Sequence, residues 1–150
     1  MRGFNPLTKF KQLGRITTPF GGVTTQEAYH PGIDIAGPLG EKIVAPTPGV
    51  VTNVVTGKAK GTNDFGNSVE IKDPQGNIQQ YHHLQDVSVQ PGQQVQPNQE
   101  IATLGDSGAT YSPSGGSSAN LDMRIVTAFG KYRNPLTYLK QVSKNQYGSK

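Results

Sequence analysis

The chain has 150 residues with 14 basic, 10 acidic and no cysteine, enough for one domain with its own core and too little for two of ordinary size. Nineteen glycines and eleven prolines make up a fifth of it, and only 16% of residues are charged; this excludes a helical bundle, a coiled coil and a disordered polyelectrolyte. The absence of cysteine excludes disulfides, thiolate metal sites and thiol nucleophiles, and no apolar run reaches the ~20 residues of a membrane span.

The net charge of +4 is unevenly placed. Residues 1–26 carry Arg2, Lys9, Lys11 and Arg15 with no acid, and after Asp122 come six basic residues with none. The two ends hold +10 between them and the middle −6, which suits attraction to an anionic polymer. No dense basic cluster with interleaved aromatics appears, so nucleic acid is not an expected partner. The first residues lack the apolar core of a secretory signal, which leads to an expectation that the chain does not export itself by the general route.

Residues 1–14 read as an irregular arm, 15–141 as the folded domain and 142–150 as a basic tail. From Arg15 onward, short β-branched runs alternate with Gly, Pro and Asn. Strands are predicted at Lys42–Ala45, Val50–Val55, Ser68–Lys72, Ile78–His83, Glu100–Leu104 and Leu121–Thr127. Pro74-Gln75-Gly76-Asn77 is a turn signal that makes residues 68–83 a β-hairpin, and Val69 and Ile71 alternate with Glu70 and Lys72 as on a half-buried sheet. Residues 105–119 form a Ser/Gly-rich loop, long enough to suggest that it borders a functional groove. Only Pro135 to about Ser143 reads as helical, with proline at the first turn. The fold class is all-β, an antiparallel sandwich or open barrel with one short C-terminal helix.

Three short elements carry chemistry. In His30-Pro31-Gly32-Ile33-Asp34 an imidazole and a carboxylate stand four apart. On a straight strand that is about 13 Å, too far for one metal, so a kink at Pro-Gly is needed to converge them. In Tyr81-His82-His83-Leu84, strand alternation puts Tyr81 and His83 on one face and His82 on the other. In Asn120-Leu121-Asp122 the two polar side chains share a face while Leu121 turns to the core.

Taken in order, His30-x-Gly-x-Asp34, Tyr-x-His83-Leu and Asn120-Leu-Asp122 resemble the lysostaphin/LytM-type zinc endopeptidases of peptidoglycan, peptidase family M23, with Asn-Leu-Asp where His-Leu-His is usual. Gly14–Gly21, Ala45–Val51, Val89–Val95, Ile101–Gly108 and Asn134–Leu139 resemble further segments of that family, so the likeness spans about residues 14–140. The resemblance implies an antiparallel sheet with a groove lined by one Zn²⁺. It implies His30 and Asp34 as ligands and His83 as the histidine that assists catalysis. Asn120 falls on a second catalytic histidine and Asp122 on the third ligand.

Both departures have chemical consequences. Asparagine hydrogen-bonds but does not exchange a proton near neutral pH. Asp122 can ligate zinc through oxygen, but two carboxylates neutralise the ion and make it a poorer Lewis acid. The expected function is zinc-assisted hydrolysis of peptidoglycan stem or cross-bridge peptides, with Tyr81 as a further donor to the oxyanion. The alternative is a cell-wall-binding or assembly module of the same fold. Phage tail or baseplate partners, and a place in a virion or release at lysis, are expected from the missing signal.

Overall fold

The computed structural model describes residues 3–22, 29–62, 64–108 and 119–147. Most of the long Ser/Gly loop predicted to border the groove, residues 109–118, lies outside them. Its middle is an antiparallel sheet running, in spatial order, from β1 (Arg15–Thr18) through β2 (Gly32–Ala36), β9 (Asn120–Val126), β6 (Ile78–Val87), β5 (Asn67–Lys72) and β4 (Gly49–Val55) to β7 (Gln94–Val95). Three shorter or displaced strands complete it: β10 (Tyr132–Arg133) on β9, and β3 (Lys42–Val44) on β8 (Glu100–Leu104), which also pairs with β6. The sheet is open, as its two ends do not pair.

Side-chain alternation along these strands fills the core. Ile33 and Ile35 of β2, Leu121, Met123 and Ile125 of β9, Tyr81 of β6, and Val69 and Ile71 of β5 point to one side and are fully buried. Area removed from water stabilises such side chains by about 1.5–3 kcal/mol each. The β5–β6 hairpin forms as expected. Asp73 accepts from the backbone N–H groups of Gln75 and Asn77 at 2.9 Å, and Gly76 takes a left-handed φ of 88°.

Two helices depart from expectation. The arm contains α1 (Pro6–Lys11), capped by Asn5, whose side chain accepts from Thr8 N. Six residues are too few for a helix to be stable alone. α1 is held by tertiary contacts: Phe10 stacks on Tyr81, and Leu7 N donates to Ser143 Oγ on α2 (Pro135–Tyr147). That second helix runs to residue 147, so it takes in part of the stretch read as a basic tail.

Beneath the sheet a polar chain crosses the core. Tyr81 Oη donates to Gln79 Oε1 at 2.7 Å, Gln79 Nε2 donates to Thr47 Oγ1 and Tyr138 Oη, and Tyr138 Oη donates to Asp73 Oδ2 at 2.5 Å. Burial pushes the Tyr138 hydroxyl well above the usual tyrosine range, and its bond to Asp73 adds to the rise. A hydroxyl whose folded pKa is raised contributes stability that is fully present below the unfolded value near 10 and is lost as pH rises beyond it. Tyr138→Phe is therefore expected to cost about 1–3 kcal/mol at neutral pH, because Asp73 and Gln79 lose a buried partner. It should also flatten the fall of melting temperature above pH ~10. An alkaline limb equal to the parent's would show that Tyr138 does not titrate in this way.

Candidate metal centre

On the face away from the core, three neighbouring strands place polar side chains side by side. Asp34 of β2 stands opposite Asp122 of β9, and Asp122 stands opposite His82 of β6. His30 lies just ahead of β2. Its backbone is pinned by hydrogen bonds to both Gly21 and Gly22, and the chain bends at Pro31 before the strand begins. The bend converges what a straight strand would hold ~13 Å apart. His30 Nε2 lies 3.1 Å from Asp34 Oδ1 and 3.9 Å from Asp122 Oδ1.

These three residues are, among the described ones, the group of His, Asp and Glu side chains with metal-binding geometry; one donor atom from each lies within 4.8 Å of the others. Tetrahedral zinc with bonds of about 2.0–2.2 Å sets neighbouring donors about 3.3–3.6 Å apart. The two distances from His30 straddle that value, and one imidazole nitrogen with two carboxylate oxygens is a donor set zinc accepts. The residues fit the ion. His30 and Asp122 are almost wholly buried while the Asp34 side chain keeps 20% of its exposure, so the site opens on the Asp34 side.

Asp122 has a second commitment. Arg124, two residues on and therefore on the same face, donates from Nε to Oδ1 and from a terminal nitrogen to Oδ2, both at 2.9 Å. Burial pushes the Asp122 carboxyl up, but the hydrogen bonds and charge of Arg124, with smaller help from His82 and His30, outweigh it and hold the group below the usual carboxylate range. The arginine lies across β2 at Gly32. A Cβ there would come within 2.7 Å of Arg124 Cγ and 2.3 Å of the Met123 carbonyl oxygen, so glycine leaves the passage. The guanidinium carbon also sits 4.7 Å from the centre of the half-exposed Phe65 ring, which stacks on His82 at 4.3 Å.

His83 owes its place to an irregularity in β6. Its φ of 66° and the shifted register between β5 and β6 add one residue to the strand, reversing the alternation. Tyr81 and Leu84 consequently face the core, and the flanked pair of histidines turns the other way. His83 Nδ1 lies 2.8 Å from Ser107 O; a carbonyl only accepts, so Nδ1 carries the proton and Nε2 the lone pair. Asn120 is on the same face of β9 as Asp122, one strand-pair step along, opposite Ala36.

The structure therefore brings together His30, Asp34 and Asp122, and sets His83 and Asn120 on the same side of the sheet. Tyr81 is a correction. It is fully buried, and its hydroxyl is spent on Gln79 in the core, so it cannot serve as a donor in the groove. His82 is the reverse case: it alternates normally from the buried Tyr81 and so lies on the site face opposite Asp122, while the extra residue that follows keeps His83 on that face and returns Leu84 to the core. Arg124 and Phe65 were not singled out from the sequence, although the period-2 argument that pairs Asn120 with Asp122 extends directly to Arg124.

The model for peptidase family M23 matches residues 28–135. The chain is 36% identical over 128 residues to the murein hydrolase activator NlpD of Salmonella typhimurium, covering 85% of this chain and 30% of that protein. It is 37% identical over 92 residues to the peptidoglycan DD-endopeptidase ShyC of Vibrio cholerae, covering 61% and 20% respectively. It thus spans a third or less of the length of these relatives. Among solved structures, LytU superposes with a TM-score of 0.69 at 28% identity over 85% of this chain and 86% of that one. The catalytic domain of lysostaphin from Staphylococcus simulans gives 0.71 at 20% identity over 88% and 96%, a likeness of fold. With its sheet, its His30/Asp34 pair and more than half its length matched by the family model, the chain belongs to peptidase family M23.

Proposed function

We propose that this domain hydrolyses amide bonds in the stem or cross-bridge peptides of peptidoglycan, with His30, Asp34 and Asp122 holding one zinc ion. The convergence of those three donor sets on one point carries the reading. Bound there, zinc supplies Lewis-acid polarisation of a carbonyl and a water acidic enough to attack near neutral pH. The chain's own residues supply the rest. His83, its Nδ1 fixed on Ser107 O, presents Nε2 as a proton acceptor, and once protonated that atom can hydrogen-bond a developing oxyanion. Asn120 can orient a substrate amide but takes no proton. Phe65, half exposed beside His82, offers a flat apolar surface at the mouth of the groove. Two matched relatives bear names tied to murein and peptidoglycan, which supports the wall as substrate.

A second reading rests on Asn120 and on the bidentate hold of Arg124 on Asp122: a groove that binds wall peptides without cutting them. The name of the NlpD relative, an activator of hydrolases, supports it. Under either reading the place of action is the bacterial envelope. Carriage by a phage tail or release at lysis is a further part of the proposal; a prophage-encoded M23 protein, EnpA from Enterococcus faecalis, shares the fold at a TM-score of 0.64 and 26% identity, and its name speaks to phage coding of that protein, not to a tail.

The two readings separate on purified peptidoglycan. Incubation with the zinc-supplemented protein should release new free amino groups, with matching muropeptides seen by mass spectrometry, and a chelator should stop it. Sedimentation of the protein with wall material and no new amino groups at any zinc concentration would overturn hydrolysis in favour of binding.

A further inference from the structure

Arg124 has no place in the ligand set or in the chemistry above, yet it is 4% exposed and spends two hydrogen bonds on one candidate ligand. Burying a guanidinium is costly unless a specific partner offsets it. One such partner is Asp122, held in fork geometry through both oxygens. The arithmetic of charge is informative. His30 with Asp34 and a neutral histidine would present −1 to an ion, whereas His30 with Asp34 and Asp122 presents −2. Adding Arg124 returns the total to −1.

Resting on the zinc reading above, we infer that Asp122 and Arg124 act as one net-neutral ligand unit, standing in electrostatically for a neutral imidazole, with Arg124 the positioning residue that cancels the carboxylate's charge. Asp122 keeps lone pairs for an ion, since an ionised carboxylate has about four acceptor sites and the arginine takes two. Oδ1 is the oxygen nearer the site, 3.9 Å from His30 Nε2. The aromatic face of Phe65 and the gap at Gly32 hold the guanidinium against Asp122, where it offsets the carboxylate's charge. Asp122 and Arg124 should therefore be exchangeable only together. Histidine at 122 needs a neutral residue at 124, because an imidazole cannot match a buried guanidinium.

The test is zinc affinity, read by competition with a chromophoric chelator, in the parent, Arg124→Gln, Asp122→His and Asp122→His/Arg124→Gln. The parent should bind one equivalent. Asp122→His should bind at least ~10-fold more weakly, and the double variant should recover that loss, because the guanidinium that has lost its carboxylate beside the ion is removed. Arg124→Gln alone should bind ~10-fold or more tightly, since the ion then meets the uncancelled carboxylate; this variant keeps the test alive if Asp122→His does not fold. Weaker binding by Arg124→Gln, or equal binding by Asp122→His and the double variant, would overturn the unit and leave Arg124 as a strut. No zinc in the parent together with zinc in Arg124→Gln would also overturn it, by showing that the arginine excludes the ion. No zinc in any variant is a different failure, since it removes the metal centre itself.

Discussion

Zinc binding is expected to fall by at least ~100-fold in His30→Ala, more than the 10–100-fold typical of changing a residue that only supports a ligand. Among the described residues His30 is the sole nitrogen donor of the cluster, and its backbone is clamped between Gly21 and Gly22, so its loss removes the one imidazole set in place for the ion. What remains is Asp34 and an Asp122 already shared with Arg124. Two carboxylates of which one is engaged make a poor zinc site, which favours nitrogen together with oxygen. Because His30 is buried, alanine leaves a cavity, and part of any effect is structural. His30→Gln fills most of the space and separates the two contributions: it should melt close to the parent and still lose the ion. Retention of one equivalent of zinc at parental affinity in both variants would place the metal elsewhere or nowhere in the groove.

The parts of this fold that obey a local rule were legible in the sequence. Val69 and Ile71 alternate with charged residues, Pro74–Asn77 supplies turn chemistry, and β5 and β6 pair as that predicts. Glu100–Leu104 is a strand with the predicted bounds. β2 was hidden because Pro31-Gly32 reads as a breaker. In fact the proline ends the bend and the glycine opens the strand, its missing Cβ making room for Arg124. α1 was hidden for a different reason: six residues have no helical period to read, and the anchors of the helix, Tyr81 and Ser143, are far away in the chain.

The site divides along the same line. His30, Asp34 and Asp122 could be singled out together because motif spacing survives in sequence, and the structure sets the three side by side. The roles of the β6 residues were misassigned because a single residue, His83, takes a left-handed φ with no Gly or Asn to announce it. One added residue exchanges the two faces of a strand. The exchange begins only at His83: up to that point the register is regular, with Tyr81 in the core beside Gln79 and His82 opposite Asp122, and beyond it Leu84 turns inward in place of His83. The lesson is local: where a strand predicted from alternation also carries adjacent polar residues such as His82-His83, the alternation itself is in question.

The largest gain is expected from restoring histidine at 120 and 122, provided that Arg124 is changed with them. Asn120 and Asp122 share one face of β9, and the face is the one that holds the ion's other donors, so histidines there would point into the site. A histidine at 120 returns a group that can exchange protons near neutral pH, an effect typically worth 10²–10⁴ in rate. A histidine at 122 supplies a second nitrogen donor but strips Arg124 of its carboxylate, and a buried cation left beside the ion opposes its binding. Asn120→His/Asp122→His/Arg124→Gln is therefore expected to cleave peptidoglycan at least ~100-fold faster than the parent, the lower end of the general-base range. Asn120→His/Asp122→His with Arg124 retained should gain far less, limited by metal occupancy, and raising zinc should narrow the difference between the two. Turnover against zinc concentration on the same wall preparation measures both effects. A triple variant that folds, binds one zinc and cuts no faster than the parent would mean that the groove does not seat a scissile peptide, which is the behaviour of a wall-binding domain.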